Sequence, residues 1–508
     1  MILTISTVGI LALGTLSMAL SVKPSPRNAW SQAHIGIEDG SETTASCVID
    51  KPVVAHHMVG YTYSYTPSDW ASDIYLAATN GLDGFILNMG ADPWQPARIS
   101  DAFSAAEAFN ANVSSTCATQ SAHTFVDDID TFDSSSSFAA TGPRSTNNCT
   151  AKPFKLAISF DMSSFPCANS NDASNLRSIA TAHSNSSAQL QICTADGNGG
   201  MSLQPVLSTF AGEACGFGQA GWQSVTSGFW FAPAFFDMSK GWTGWSGVQA
   251  SLNWNGGWPQ GNNDISFSND QTWISETNGK GYVAPASPWF YAHYGPESYN
   301  KNFIYRPDDW LWASRWEQLI ANREQVAMVE VVTWNDYTES SYITPFKGEL
   351  PPYSEWVTKY DHQGWLKMLP YYIQAFKTGV YPAITQDKFY LWGRLYDKNA
   401  QPTGDSVARP ANADWTSNTL WAVVHLAPSL ATNTSITLTC GSSTSTTSYS
   451  ASGVYKLSLP FIDTCDVSAQ ITRNQGVLST ITRFTPSGMH YSAQGPQYWD
   501  FNAFVASA

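Results

Sequence analysis

The chain of 508 residues is poor in charge. Asp, Glu, Lys and Arg make up 13% of it, about half the usual share. That excludes a dominant charged coiled coil or a long polyelectrolyte tail. Basic charge is the scarcer sign: 25 Lys and Arg face 40 Asp and Glu, for a net charge of −15. Such a balance repels phosphate backbones and anionic headgroups, so no nucleic acid and no membrane is expected as a partner. No CxxC occurs among the eight cysteines, and no Cys/His cluster has zinc spacing. No metal is therefore expected, and disulfides are the natural use of an even count. G-x-S-x-G, a glycine-rich phosphate loop and H-E-x-x-H are all missing, so there is no nucleophilic-serine elbow, no nucleotide cradle and no cofactor motif. Internal repeats are absent, and so are long apolar runs, apart from residues 2–20.

That one run carries no charged side chain and ends near Ser17-Met18-Ala19, a small-x-small cleavage pattern. It predicts a signal peptide over 1–19 and a short leader over 20–50. A signal anchor is the alternative, because a basic flank is missing. Four sequons, at Asn112, Asn148, Asn185 and Asn433, agree with export and glycosylation. The expected location is secreted, extracellular or in a cell wall. Cys440 and Cys465 stand alone in the C-terminal region and are expected to pair. The pairing among Cys47, Cys117, Cys149, Cys167, Cys193 and Cys215 stays open.

What the chain does have is aromatic mass, including 21 Trp. A core does not need so many indoles, whereas a sugar-binding surface uses them for stacking on pyranose faces. Short apolar runs at 53–59, 84–89, 155–160, 202–209, 228–236, 250–254, 282–287 and 328–334 read as strands. Helical patterns at 68–80, 96–109, 172–183, 309–323 and 364–377 fall between or after them. Eight strands alternating with helices predict an α/β fold, a TIM-like (β/α)8 barrel over 51–384. A Ser/Asp-rich insertion is expected at 113–152. From 385 to 508 the helical period disappears and Ser/Thr-rich alternating runs take over, which predicts an antiparallel β-sandwich.

In such a barrel the working residues follow the strands. The strand ends offer His56, His57, Tyr61 and Tyr63; then Asn88, Asp92 and Trp94; then Asp161, Glu213 and Asp237. Trp254, Asn255 and Trp258 follow, then Trp289, His293 and Tyr294, and finally Trp334, Asn335, Asp336 and Glu339. Carboxylates and aromatics without a cofactor motif suit glycoside hydrolysis, in which one carboxyl protonates the leaving oxygen and another activates water or attacks carbon. Each residue also has a plain reading. Asp92 can cap the next helix, Asp161 and Asp237 can bind backbone, and Glu213 can cap a turn. Strand alternation turns one of His56 and His57 outward, and Trp310, Trp312 and Trp316 read as a buried helix face. Asp336 and Glu339, three apart after an apolar strand, are hardest to explain as packing. Glu339 has the longer reach and is expected as general acid, with Asp336 as general base.

The stretches VVAHHMVGYTYSYTPSDWASDI (53–74), GLDGFILNMGADPWQPARI (81–99), LAISFDMSSFPC (156–167), SPWFYAHYGPESYNKNFIYR (287–306) and VVTWNDYTES (331–340) resemble the fungal α-1,3-glucanases (mutanases) of glycoside hydrolase family 71. The resemblance implies endo-hydrolysis of α-1,3-glucan with inversion and no cofactor. It also implies catalytic places for Asp336, Glu339 and a supporting Asp92. From the strand ends, glucan contacts are expected from His57, Asn88, Trp94, Asp161, Asp237, Trp254, Asn255, Trp258, Trp289, His293, Tyr294 and Trp334. Thr338 departs from the family's Gly between the acids, and His57 and Tyr61 from its apolar residue and Asn. A monomer is expected. The competing readings are an inactive wall-glucan-binding protein on the same barrel and a hydrolase of another glucan linkage.

Overall fold

The computed structural model describes Cys47 and residues 51–119, 152–195, 200–237, 245–306, 308–351, 354, 356–357, 360–431, 433–476 and 478–508. The expected signal peptide, nearly all of the leader, Asn148 and most of the expected insertion lie outside these residues. The first seven insertion positions lie within a helix that runs to Thr119.

Eight parallel strands, with the antiparallel strand Gln191–Ala195 paired to the fourth, form one curled sheet of nine: β1 Val53–Met58, β2 Gly84–Met89, β3 Lys155–Asp161, β4 Met201–Phe210, β5 Trp230–Ala234, β6 Ala250–Leu252, β7 Gly281–Ala286 and β8 Met328–Val331. Their order is β5-β4-β3-β2-β1-β8-β7-β6. β5 and β6 share no ladder, but Gln249 N donates to Phe231 O at 2.9 Å between them. Among the described residues, helices α1 Pro67–Thr79, α2 Gln95–Thr119, α3 Ser170–Thr181, α4 Gly218–Thr226, α5 Ser268–Glu276, α6 Leu311–Ala321 and α7 Gln363–Thr378 follow every strand except β5.

Side-chain alternation along the strands sorts the core into two faces. Val53, Ala55, Phe85 and Leu87 join the helices in one apolar cluster. Val54, Ile86, Ala157, Val206, Ala232 and Val283 form another on the sheet's inner face. Local chemistry starts the helices. Thr66 and Asp69 make a capping box at α1, with Pro67 in its first turn, and Asn169 and Asp172 make one at α3.

The C-terminal residues form two antiparallel sheets. One has the order Gly453–Pro460, Thr419–Leu426, Lys388–Arg394, Ala503–Ser507, and the other is built on Ser443–Tyr449, Asn433–Cys440, Cys465–Gln475 and Leu478–Phe484. Phe389 and Leu391 face the second sheet, while Tyr390 and Trp392 pack into the cluster that holds α6 and α7. Each buried aromatic removes about 150–250 Å² from water, roughly 4–6 kcal/mol gross. Disulfides join Cys47 to Cys193, Cys167 to Cys215 and Cys440 to Cys465.

Candidate active site

At the end of β8 a side chain continues the sheet. Asn335 Oδ1 accepts from Met58 N at 2.7 Å, and its Nδ2 donates to Met58 O at 3.2 Å. Asn335 thus mimics a strand neighbour of β1 and fixes the residues that follow. Asp336 then caps a single 3-10 turn, Tyr337–Glu339, with its side chain accepting from Glu339 N.

Asp336 is 6% exposed. Its Oδ1 accepts from Glu339 N at 3.2 Å, Thr338 Oγ1 at 3.3 Å and Tyr61 OH at 3.4 Å. No hydrogen bond engages its Oδ2 among the described residues. Burial first, and the Glu339 carboxylate second, push the Asp336 carboxyl up to about 7. Glu339 differs: its Oε1 is ion-paired with Lys301 Nζ, while Oε2 is buried with no hydrogen-bond partner among the described residues. Lys301 is reached only through the hairpin Tyr291–His293 and Asn302–Ile304. Tyr305, on the same hairpin, donates to Asn255 Oδ1 at 3.4 Å and stacks on Trp258 with ring centres 5.1 Å apart. Burial and the nearby acids raise the hydroxyls of Tyr61 and Tyr294 and keep them neutral.

A second group stands at the ends of β2 and β3. Exposed Asp92 accepts from Gln95 Nε2 at 2.9 Å, and Asp161 Oδ1 accepts from Ser163 Oγ at 2.6 Å. Ser164 Oγ ties the two loops together, accepting from Ala91 N and donating to Asp161 O. Glu213 Oε1 accepts from the backbone N–H groups of Phe236 and Asp237. Asn88 is buried at the end of β2, level with Met58 in the ladder. Half-buried Trp94 meets Tyr63, itself 61% exposed, edge to face at 5.3 Å. Trp254 closes edge-on over His56 at 4.7 Å. Buried Tyr294 meets Trp356 and Tyr299 edge to face.

Five residues expected as contacts are packed in the structure. His57 is 0% exposed; it turns into the helix layer, bonds Asp73 of α1 at 3.2 Å, and is pulled down by burial to the neutral form. The inward partner is His56, which bonds Glu330 Oε1 at 2.6 Å. Trp334 packs against Phe85 at 5.0 Å in the helix-facing core. Trp289 gives its indole N–H to Phe501 O, and Trp258 gives its own to Trp289 O. His293 has both ring nitrogens engaged, by Asn302 and Asp405. Thr338 and Tyr61 were open to the sequence, being beside the acids and after the first strand. Lys301 carried no signal, because only the hairpin's return brings it to Glu339.

Among the described residues no group of three or more His, Cys, Asp or Glu is placed to hold a metal ion. No described helix is long and apolar enough to cross a membrane.

Comparison with known proteins adds an independent finding. A family model described as "Glycosyl hydrolase family 71" matches residues 49–140 and 144–508. The chain is 35% identical over 453 residues to the glucan endo-1,3-alpha-glucosidase agn1 of Schizosaccharomyces pombe, covering 85% of this chain and 90% of that one. It is 30% identical to the ascus wall endo-1,3-alpha-glucanase of the same yeast, covering 72% and 76%. It is 28% identical to a mutanase of Penicillium rubens, covering 74% and 73%.

Proposed function

The chain belongs to glycosyl hydrolase family 71, and from that premise we propose that it is an endo-acting α-1,3-glucan hydrolase that inverts the anomeric carbon. The names of its relatives supply the substrate class. The unequal charge of the two carboxyls supports the mechanism. Inversion needs one protonated and one ionised carboxyl with water between base and sugar. Asp336, raised to about 7, holds its proton near neutral pH, and its Oδ2 carries it to the glycosidic oxygen. Glu339, paired with Lys301, is the charged member and draws the proton from water. This order is the reverse of the one expected from side-chain length, because it follows from the burial of Asp336 and from a cation on Glu339 that comes from a distant hairpin. Asp92, Asp161, Asp237, Asn88, Trp94, Trp254, Asn255 and Tyr294 are assigned to the glucan chain.

The curled sheet is read as a complete (β/α)8 barrel; the Gln249–Phe231 hydrogen bond at its seam supports closure. The two C-terminal sheets, sharing one apolar core, are read as a β-sandwich. Secretion is supported by the apolar run at 2–20 and by exposed sequon residues Asn112, Asn185 and Asn433.

The test uses a glucan oligomer with an activated leaving group, which needs little protonation. Asp336→Asn is expected to lose about 10²–10⁴-fold on α-1,3-glucan but to recover most activity on the activated substrate. Glu339→Gln stays slow on both. The opposite pattern returns the roles to the order expected from sequence. The first product anomer, read by NMR, is expected to be β; an α product overturns inversion.

A further inference from the structure

We propose that Lys301 is a positioning residue for Glu339, and that the C-terminal segment 405–412 holds Lys301 in place, so that the C-terminal region places the cation on the catalytic base. The inference rests on the reading of Glu339 as base.

The physical chain starts at the hairpin. Its strands pair Asn302 with His293 and Ile304 with Tyr291, and Tyr294 N donates to Lys301 O at 2.8 Å. Strands of three residues are too short to be stable alone. The missing support comes from the C-terminal region, which adds a third ribbon. Ala411 N donates to Asn302 O, and Ile304 N donates to Ala411 O, each at 3.1 Å. Asn302 Nδ2 donates to Ala408 O at 2.8 Å, and Asn412 Nδ2 to Ile304 O at 3.0 Å. His293 bridges the two parts: Nδ1 meets Asn302 Oδ1 and Nε2 meets Asp405 Oδ2, both at 2.8 Å. Asp405 is itself fixed by Trp499 N at 2.7 Å and Val407 N at 2.8 Å.

Lys301 is placed by this ribbon on Glu339 and 5.6 Å above the Phe290 ring. An exposed ion pair adds little stability; here the Lys301 side chain is 37% exposed, but Glu339 is 13% exposed and Asp336 lies beside it. There the ammonium sits on Glu339, while burial first keeps the proton on Asp336. Burial works against the Lys301 charge, and the two acids more than offset that, so it titrates above its usual range. Asp336, Tyr61, Tyr294 and Tyr305 are the other titratable groups facing the pair.

The experiment measures kcat/KM against pH for the full chain on soluble carboxymethyl α-1,3-glucan, with thermal melts as a fold control. Lys301→Met is expected to move the acidic limb up by about one pH unit or more; Lys301→Arg keeps it near the wild-type position. Asp405→Asn moves the limb in the same direction by less. The double variant goes no further than Lys301→Met, because both act through one contact. If Asp405→Asn does not fold, Asn302→Ser cuts the Ala408 tie and reads the same coupling. An unmoved limb in Lys301→Met, or additive shifts in the double variant, overturns the proposal while leaving Glu339 as base. Full activity in Glu339→Gln overturns the assignment beneath it instead.

Discussion

Asp336 carries its proton at a cost to the fold. Its carboxyl sits at about 7 when folded and near 3.9 in an open chain. A raised carboxyl contributes its full stability below the unfolded value and loses it as pH climbs through the folded one. Asp336→Asn is therefore expected to be more stable than the parent, with the gain growing from pH 4 to pH 7. Roughly three units at about 1.4 kcal/mol each set a ceiling of about 4 kcal/mol. Urea unfolding at pH 4 and pH 8 checks it; an equal difference at both means that Asp336 is not proton-loaded. The alkaline limb of glucan hydrolysis belongs near pH 7 for the same reason. Away from the acids, one buried ion pair belongs to the helix layer. Arg315 donates to both oxygens of Asp270, at 2.6 and 2.7 Å, and Tyr282 donates to the same acid. Arg315→Met strands that buried carboxylate and is expected to cost about 3–5 kcal/mol, read as a fall in the urea midpoint. The residue types at the strand ends were legible in the sequence. Which of His56 and His57 faces inward was not, because that choice depends on strand register, and neither was Lys301.

The eight parallel strands follow their apolar runs to within a few residues, since nearly all are buried on both faces and read as continuous apolar sequence; the first half of Met201–Phe210 is the exception. Helices α4 and α5 were less legible. They have nine residues each, and neither has a side-chain cap at its start. The hairpin strands of three residues leave no period to detect, and Ser443–Tyr449, exposed on one face and largely half-buried on the other, has no apolar alternation. The end of β8 shows what an element can gain from one side chain. Asn335→Ala removes both bonds to Met58 and is expected to cost about 1–3 kcal/mol. It should also lower kcat on glucan, because Asp336 follows directly. A loss of stability with unchanged kcat, measured by urea titration and initial rates, counts against Asn335 as the support of the acid.

At the scale of the molecule the two parts are joined by side chains along their whole contact. Trp289 and Tyr291 donate to Phe501 O and Trp499 O. Trp310 donates to Ala422 O and Leu457 O, and buried Arg394 pairs with Asp308. His362, between Tyr342 O and Ala503 O, adds another tie. A chain ending at residue 384 leaves the apolar faces of α6 and α7 uncovered and is expected to be insoluble; a soluble, cooperatively melting truncation opposes that. The composition change near 385 was visible in the sequence. The depth of this contact was not, because its aromatics belong to two distant stretches of chain.

None of the described disulfides crosses from one part to the other: Cys440–Cys465 lies wholly in the C-terminal region, and the other two lie before it. The covalent connection is one exposed stretch that includes Val380 and Tyr381. A protease site placed there and cut after folding therefore produces two peptides on a denaturing gel but one particle in gel filtration. The last 120 or so residues then behave as a subunit that happens to be made on the same chain as its partner, tethered for assembly rather than for cohesion.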